Sequence, residues 1–150
     1  EVDTTRVVAI GNDVALIASA LGSGATQLIV TLALFFDTLR LAGQTSGYPL
    51  EEINDHLRYN PFGRDDAERT LGYFNPRWFA PKFDGSTLVM AQSTGGLQDA
   101  AGLAPVIEGL NGPTTVHESD ESSYLDGLVL ERWITSEFGF DEAIVPEHWQ

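Results

Sequence analysis

At 150 residues the chain has the length of one domain, enough to bury roughly two-thirds of the surface its unfolded form exposes. Its 22 acidic residues face 8 basic ones, a formal charge of −14, which argues against nucleic-acid binding because phosphates need cationic partners. Cysteine is absent, which removes disulfides, thiolate metal sites and thiol nucleophiles together.

No stretch approaches the ~20 continuous apolar residues of a membrane span, and the longest apolar run, over residues 28–36, is strand-length. Lys82 is the only lysine. The acidic balance reads as a well-solvated surface, with adaptation to a high-salt source as the sharper alternative. Glu1 leads directly into Val2-Asp3 with no basic and apolar signal region. A mature or trimmed chain would read the same way, so the compartment stays open.

In chain order, residues 7–10 form a short apolar run closed by Gly11, the pattern of a strand buried on both faces. Gly11-Asn12-Asp13-Val14-Ala15 then turns at once into a helix over 14–21, with Ala15, Ala18 and Ala20 small enough to lie close on a sheet. Gly22-Ser23-Gly24 stops that helix. This strand, sharp turn and helix have the shape of a nucleophile elbow, which presents one side chain at the top of an α/β sheet. Here that side chain is Asp13. A second strand is expected over 27–34.

Residues 42–81 change character and read as a helical excursion between strands, the place for a lid or an oligomer contact. Within it the spacing of Leu50, Ile53 and Leu57 predicts a helix over 50–59. Another helix is expected over 65–74, begun by acids suited to its positive end and closed by Asn75-Pro76. Residues 86–91 return to strand pattern, followed by the polar turn Ser93-Thr94-Gly95-Gly96. A helix over 99–110, a strand over 114–117 and an amphipathic helix over 124–138 (Leu125, Leu128, Val129, Trp133, Ile134) complete the order. Strands alternating with helices imply a mostly parallel sheet of about four strands joined by crossovers, hence an α/β fold.

Several blocks carry a family resemblance. Glu1-Val2-Asp3-Thr4-Thr5-Arg6-Val7 leads into the elbow, Tyr48-Pro49-Leu50-Glu51-Glu52-Ile53 runs on to His56-Leu57-Arg58, and Thr70-Leu71-Gly72-Tyr73-Phe74-Asn75 precedes Phe79-Ala80-Pro81. In order and spacing the chain resembles the C-terminal half of the carbohydrate esterase family that contains acetyl xylan esterases and cephalosporin-C deacetylases. The resemblance implies half of an α/β-hydrolase fold and carboxylic-ester chemistry. A chain that opens on the elbow strand reads as a fragment, so the strand at 7–10 becomes a sheet edge that needs cover. The expected partner is a second polypeptide carrying the missing half, or another copy in a homo-oligomer.

The three catalytic positions implied by the family are all substituted. Its nucleophilic Ser aligns with Asp13, its acid falls within Ala91-Gln92-Ser93-Thr94-Gly95, and its His falls within Asp120-Glu121-Ser122-Ser123. Acyl transfer by Ser needs a hydroxyl, a base and an acid that holds the base. Of the histidines, His117 ends a strand about five residues early and reads as packed. His56 and His148 read as surface or interface. Three scattered histidines without cysteine offer no metal-ligand spacing, and no cofactor is implied. Glu118, Asp120 and Glu121 read as a solvated loop, with a calcium site as the lesser alternative.

Three readings follow. In the first, Asp13 caps the helix it introduces and the domain is a non-catalytic structural or assembly subunit. In the second, a missing half completes a carbohydrate acetyl-ester hydrolase. In the third, Asp13 attacks carbon itself, an arrangement similar to the sites of haloalkane dehalogenases and epoxide hydrolases.

Overall fold

The computed structural model describes residues 3–119 and 122–140. In chain order its elements are β1 (Val8–Gly11), α1 (Asp13–Ala20), β2 (Gln27–Val30), α2 (Thr38–Ala42), α3 (Leu50–Tyr59) and α4 (Arg64–Gly72). Two 3₁₀ turns (Pro76–Trp78, Ala80–Lys82) then lead into β3 (Ser86–Ala91), α5 (Ala100–Ile107), β4 (Thr114–Glu118) and α6 (Ser123–Phe138). The four strands form one sheet in the order β1-β2-β3-β4, and every neighbouring pair is parallel. The expected α/β fold and strand count are therefore present, and β1 lies at an edge as its sequence position implied.

Because side chains alternate across a strand, the register sorts the apolar residues into two layers. Leu28 and Val30 of β2 and Val89 and Ala91 of β3 face Leu16 of α1 and Leu103 and Val106 of α5 in the larger core. Ile29 and Leu88 point the other way, onto Trp133 of α6, in a smaller core that holds three buried residues among those described. A parallel sheet is normally covered on both faces. Here α6 covers only part of the second face, and Ile10 of β1 is left 58% exposed on it.

One expected strand is too long. The apolar run over 27–34 pairs only through Val30, and the chain then leaves the sheet as a loop in which Leu32 and Phe36 still enter the larger core while Thr31, Ala33 and Asp37 are exposed. An apolar run bounded by turns cannot by itself distinguish strand from buried loop. The caps refine other boundaries. Asp99 precedes α5 and accepts the Gly102 amide at 2.9 Å, and Ser122 precedes α6 and accepts from Leu125 N.

Leu125 falls outside the core, being exposed. The excursion forms its two helices, yet neither α3 nor α4 contributes a buried residue, and Tyr59, Phe62 and Tyr73 all face outward. No helix among the described residues is long and apolar enough to cross a membrane.

Candidate functional site

The turn after β1 is tight because Gly11 and Ala15 are small: a Cβ on Gly11 would sit 3.2 Å from that of Ala15. Asn12 is extended and its side chain accepts the Val14 amide at 3.0 Å. The capping role expected of Asp13 thus belongs to Asn12, one residue earlier. Asp13 itself begins α1 and is completely buried. Its side chain is sealed from solvent. It turns to the loop after β2, where Oδ2 accepts the Leu34 amide at 2.7 Å.

Two opposed effects act on that carboxyl. Burial pushes its pKa above the ordinary 3.8, and the amides of Leu34, Asp13, Phe35 and Phe36 pull it down without cancelling the rise. A raised pKa means that the native state holds this proton to higher pH than the unfolded chain does. Asp13 therefore subtracts stability as pH climbs from about 4 through its raised value, and the penalty vanishes below the ordinary value. Asp13→Asn keeps an acceptor for Leu34 and carries no charge. Urea unfolding from pH 4 to 7 should show the variant gaining on the wild type as pH rises, and a constant difference would refute the charge penalty.

The loop over 31–37 is fastened by three buried polar side chains from separate segments. Asp13 holds the Leu34 amide, Thr38 Oγ1 donates to the Leu34 carbonyl at 2.8 Å, and Gln98 Nε2 donates to the Leu32 carbonyl. All three residues are buried, and a buried polar group is retained where it is hydrogen-bonded. Thr38 and Gln98 were missed by sequence reasoning, since nothing in their neighbourhoods marks them. Gln98 is also paired by its backbone: its carbonyl accepts from the Gln92 amide at 3.0 Å, while its own amide donates to Gln92 Oε1 at 3.1 Å.

This loop forms one wall of a cavity of about 680 Å³ at the C-terminal ends of the strands, the side on which open α/β sheets bind ligands. Its polar lining comes from Asn12, Thr31, Gln92, Gln98, Ser119 and Asp126, and the rest is largely aliphatic. Neither Asp13 nor His117 is among its lining residues. His117 instead joins β4 to α6 through Nε2, 2.8 Å from Asp126 Oδ1, while Ser119 Oγ donates to Asp126 Oδ2 at 2.7 Å. The structure thus gathers His117 and Ser119 around the Asp126 carboxylate. Asp126 had no signal of its own in the sequence.

The loop after β3, where the resemblance places an acid, holds no carboxylate over 91–95. The next one, Asp99, has both oxygens engaged by the Gly95 and Gly102 amides at 2.9 Å, and these hold its carboxyl below the usual range. Glu118 is not part of a solvated loop. It closes β4 and accepts from Thr94 Oγ1 at 2.6 Å and the Ala100 amide at 3.2 Å. Asp120, Glu121 and His148 lie outside the described residues. His56 is exposed on α3, beside Glu52 in the groove that α3 forms with α4. Among the described residues no group of three or more His, Asp or Glu could hold a metal ion.

No protein-family model matches the chain, and no curated protein matches it. Solved structures do. The acetyl xylan esterase from Paenibacillus sp. R4 is similar over 91% of this chain and 46% of its own, at 23% identity and a TM-score of 0.74. Acetyl xylan esterase 1 from Thermoanaerobacterium sp. JW/SL YS485 is similar over 89% of this chain and 46% of its own, at 16% identity and a TM-score of 0.69. MGS-M2, an α/β hydrolase from a Medee basin deep-sea metagenome library, follows at 12% identity and a TM-score of 0.51, over 97% of this chain and 69% of its own. At these identities the likeness is one of fold. With its parallel sheet, its turn from β1 into α1 and its flanking helices, the chain is an α/β fold that matches part of the fold of these α/β hydrolases, and it spans about half the length of the acetyl xylan esterases to which it is similar.

Proposed function

We propose that this chain is a non-catalytic α/β-hydrolase-type domain with a structural or assembly role. It is completed either by a second polypeptide carrying the other half of the fold or by further copies of itself. One observation carries the reading: the carboxylate at the nucleophile position is fully buried and committed to the Leu34 amide. A nucleophile must reach a substrate carbonyl and needs a base within hydrogen-bond reach; Asp13 is buried and its side-chain partner is a backbone amide. The partial cover over β1 supports an assembly role, since a bare sheet edge with apolar residues beside it invites pairing.

The second reading is a carbohydrate acetyl-ester hydrolase completed by a partner chain. What favours it is the cavity at the strand ends with Ser119 and Asp126 in its wall and His117 bonded to that same Asp126. An assay of acetate release from acetylated xylan separates the two. The wild type should release none above buffer, and Asp13→Ser should create no activity. Acetate release by the wild type that is abolished by Asp13→Ala would overturn the non-catalytic reading.

A further inference from the structure

A second hollow, of about 210 Å³, lies where the loop after β2 meets α4 and the first 3₁₀ turn. Phe35 and Trp78 supply its aromatic walls, Asp37 and Glu68 bring carboxylates, and no Lys, Arg or His lines it. Trp78 is 62% exposed, so much of its ring still faces water. Asp37 is the one non-glycine residue with positive φ (55°) among the described residues, and its side chain leaves the start of α2 uncapped. The polar groups around the hollow are unevenly spent. Thr38 donates its hydroxyl proton to the Leu34 carbonyl at 2.8 Å, and the Asn75 side-chain oxygen accepts the Arg77 amide at 3.0 Å. Asp37 Oδ2 accepts from Arg40 Nε, which leaves Oδ1. The Glu68 carboxylate has no hydrogen bond or ion pair among the described residues.

That balance of aromatic faces, open acceptors and negative charge suits a cation rich in donors. An anion would meet two carboxylates, and a quaternary ammonium has no N–H to give them. A guanidinium meets both demands, because its flat face stacks on an aromatic ring while its fork of N–H groups matches a carboxylate. We propose that this hollow is a guanidinium site, with the plane of the ligand on Trp78 and its N–H groups donating to Glu68 and Asp37. The group comes either from a free small molecule or from an arginine side chain. A chain of formal charge −14 draws such cations toward its surface. The inference stands apart from the question of catalysis, since the hollow shares no lining residue with the cavity at the strand ends.

The test is an NMR titration of the isotope-labelled chain with methylguanidinium chloride at low ionic strength, read at the Trp78 indole N–H and the Gly72 amide. Both signals should follow one saturable curve in the millimolar range, and added sodium chloride should weaken it. Methylurea has the shape without the charge, and tetramethylammonium has the charge without the donors. Each should bind at least about tenfold more weakly. Glu68→Gln and Trp78→Ala, both at exposed positions, should each lower the affinity for methylguanidinium about tenfold, with Gly72 as the reporter in Trp78→Ala. The proposal is overturned by the absence of a saturable shift, by unchanged affinity in both variants, or by methylurea or tetramethylammonium binding as tightly as methylguanidinium. Capped arginine binding more tightly than methylguanidinium supports the site with a polypeptide as the source of the group. Equal or weaker binding of capped arginine supports it with a free molecule as the source.

Discussion

Leu28→Ala should lower the stability of the fold by about 3 kcal/mol in urea or thermal unfolding, whereas Ile10→Ala should change it by less than about 0.5 kcal/mol. Leu28 lies on the inner strand β2 with no exposed surface, packed in the core that includes Leu16, Val89 and Leu103. Truncating it removes apolar contact and leaves a cavity that the flanking strands are too constrained to close. Ile10, two-thirds of the way along the edge strand β1, is 58% exposed, so its loss costs little transfer free energy in an isolated chain. The pair also reports on assembly. A large cost for Ile10→Ala, growing with protein concentration, would show that another copy covers this face.

Gly85→Ala and Gly112→Ala should each cost about 3 kcal/mol, through backbone crowding and not lost burial. The segments that enter β2, β3 and β4 stack against one another at the base of the sheet. A Cβ on Gly85 would lie 2.3 Å from the Thr26 carbonyl oxygen and 2.5 Å from Phe83 Cζ. One on Gly112 would lie 2.2 Å from the Gly85 oxygen. Backbone oxygens cannot yield as a flexible side chain can, so the strand entries must separate. Gly127→Ala in α6 is the control of opposite sign. Its added Cβ meets nothing within 4 Å, and helix propensity favours alanine by roughly 0.5–1 kcal/mol. Differential scanning calorimetry of the three variants reads both directions, and a harmless Gly85→Ala would refute the close stacking.

Much of the architecture was legible because its signals are local. The helix from Leu50 to Tyr59 and the strand from Ser86 to Ala91 have the bounds their periodicity predicted, and the α/β order follows from strands alternating with helices. The candidate site was less legible. The elbow could be located, but the direction of its side chain could not. A strand reading of residues 31–34 failed because an apolar run, common to strands and to loops that dip into the core, was the only local cue. Glu118 looked like one of three solvated acids, and the fold uses it to tie β4 to the loop after β3 and the start of α5.

By itself, then, the sequence determined a parallel α/β sheet with a sharp turn from β1 into α1 and an Asp at its head, since these depend on patterns a few residues long. Tertiary structure alone decided what that Asp does. Its partner amide is 21 residues away, and the Gln98 side chain that steadies the same loop reaches across 66 residues. Such contacts depend on how segments meet after crossovers have closed, and no local periodicity records them. The same holds for the stacked glycines, whose need is set by the carbonyl of a neighbouring strand entry, and for Asp126, which becomes the partner of His117 only because α6 packs back onto the sheet.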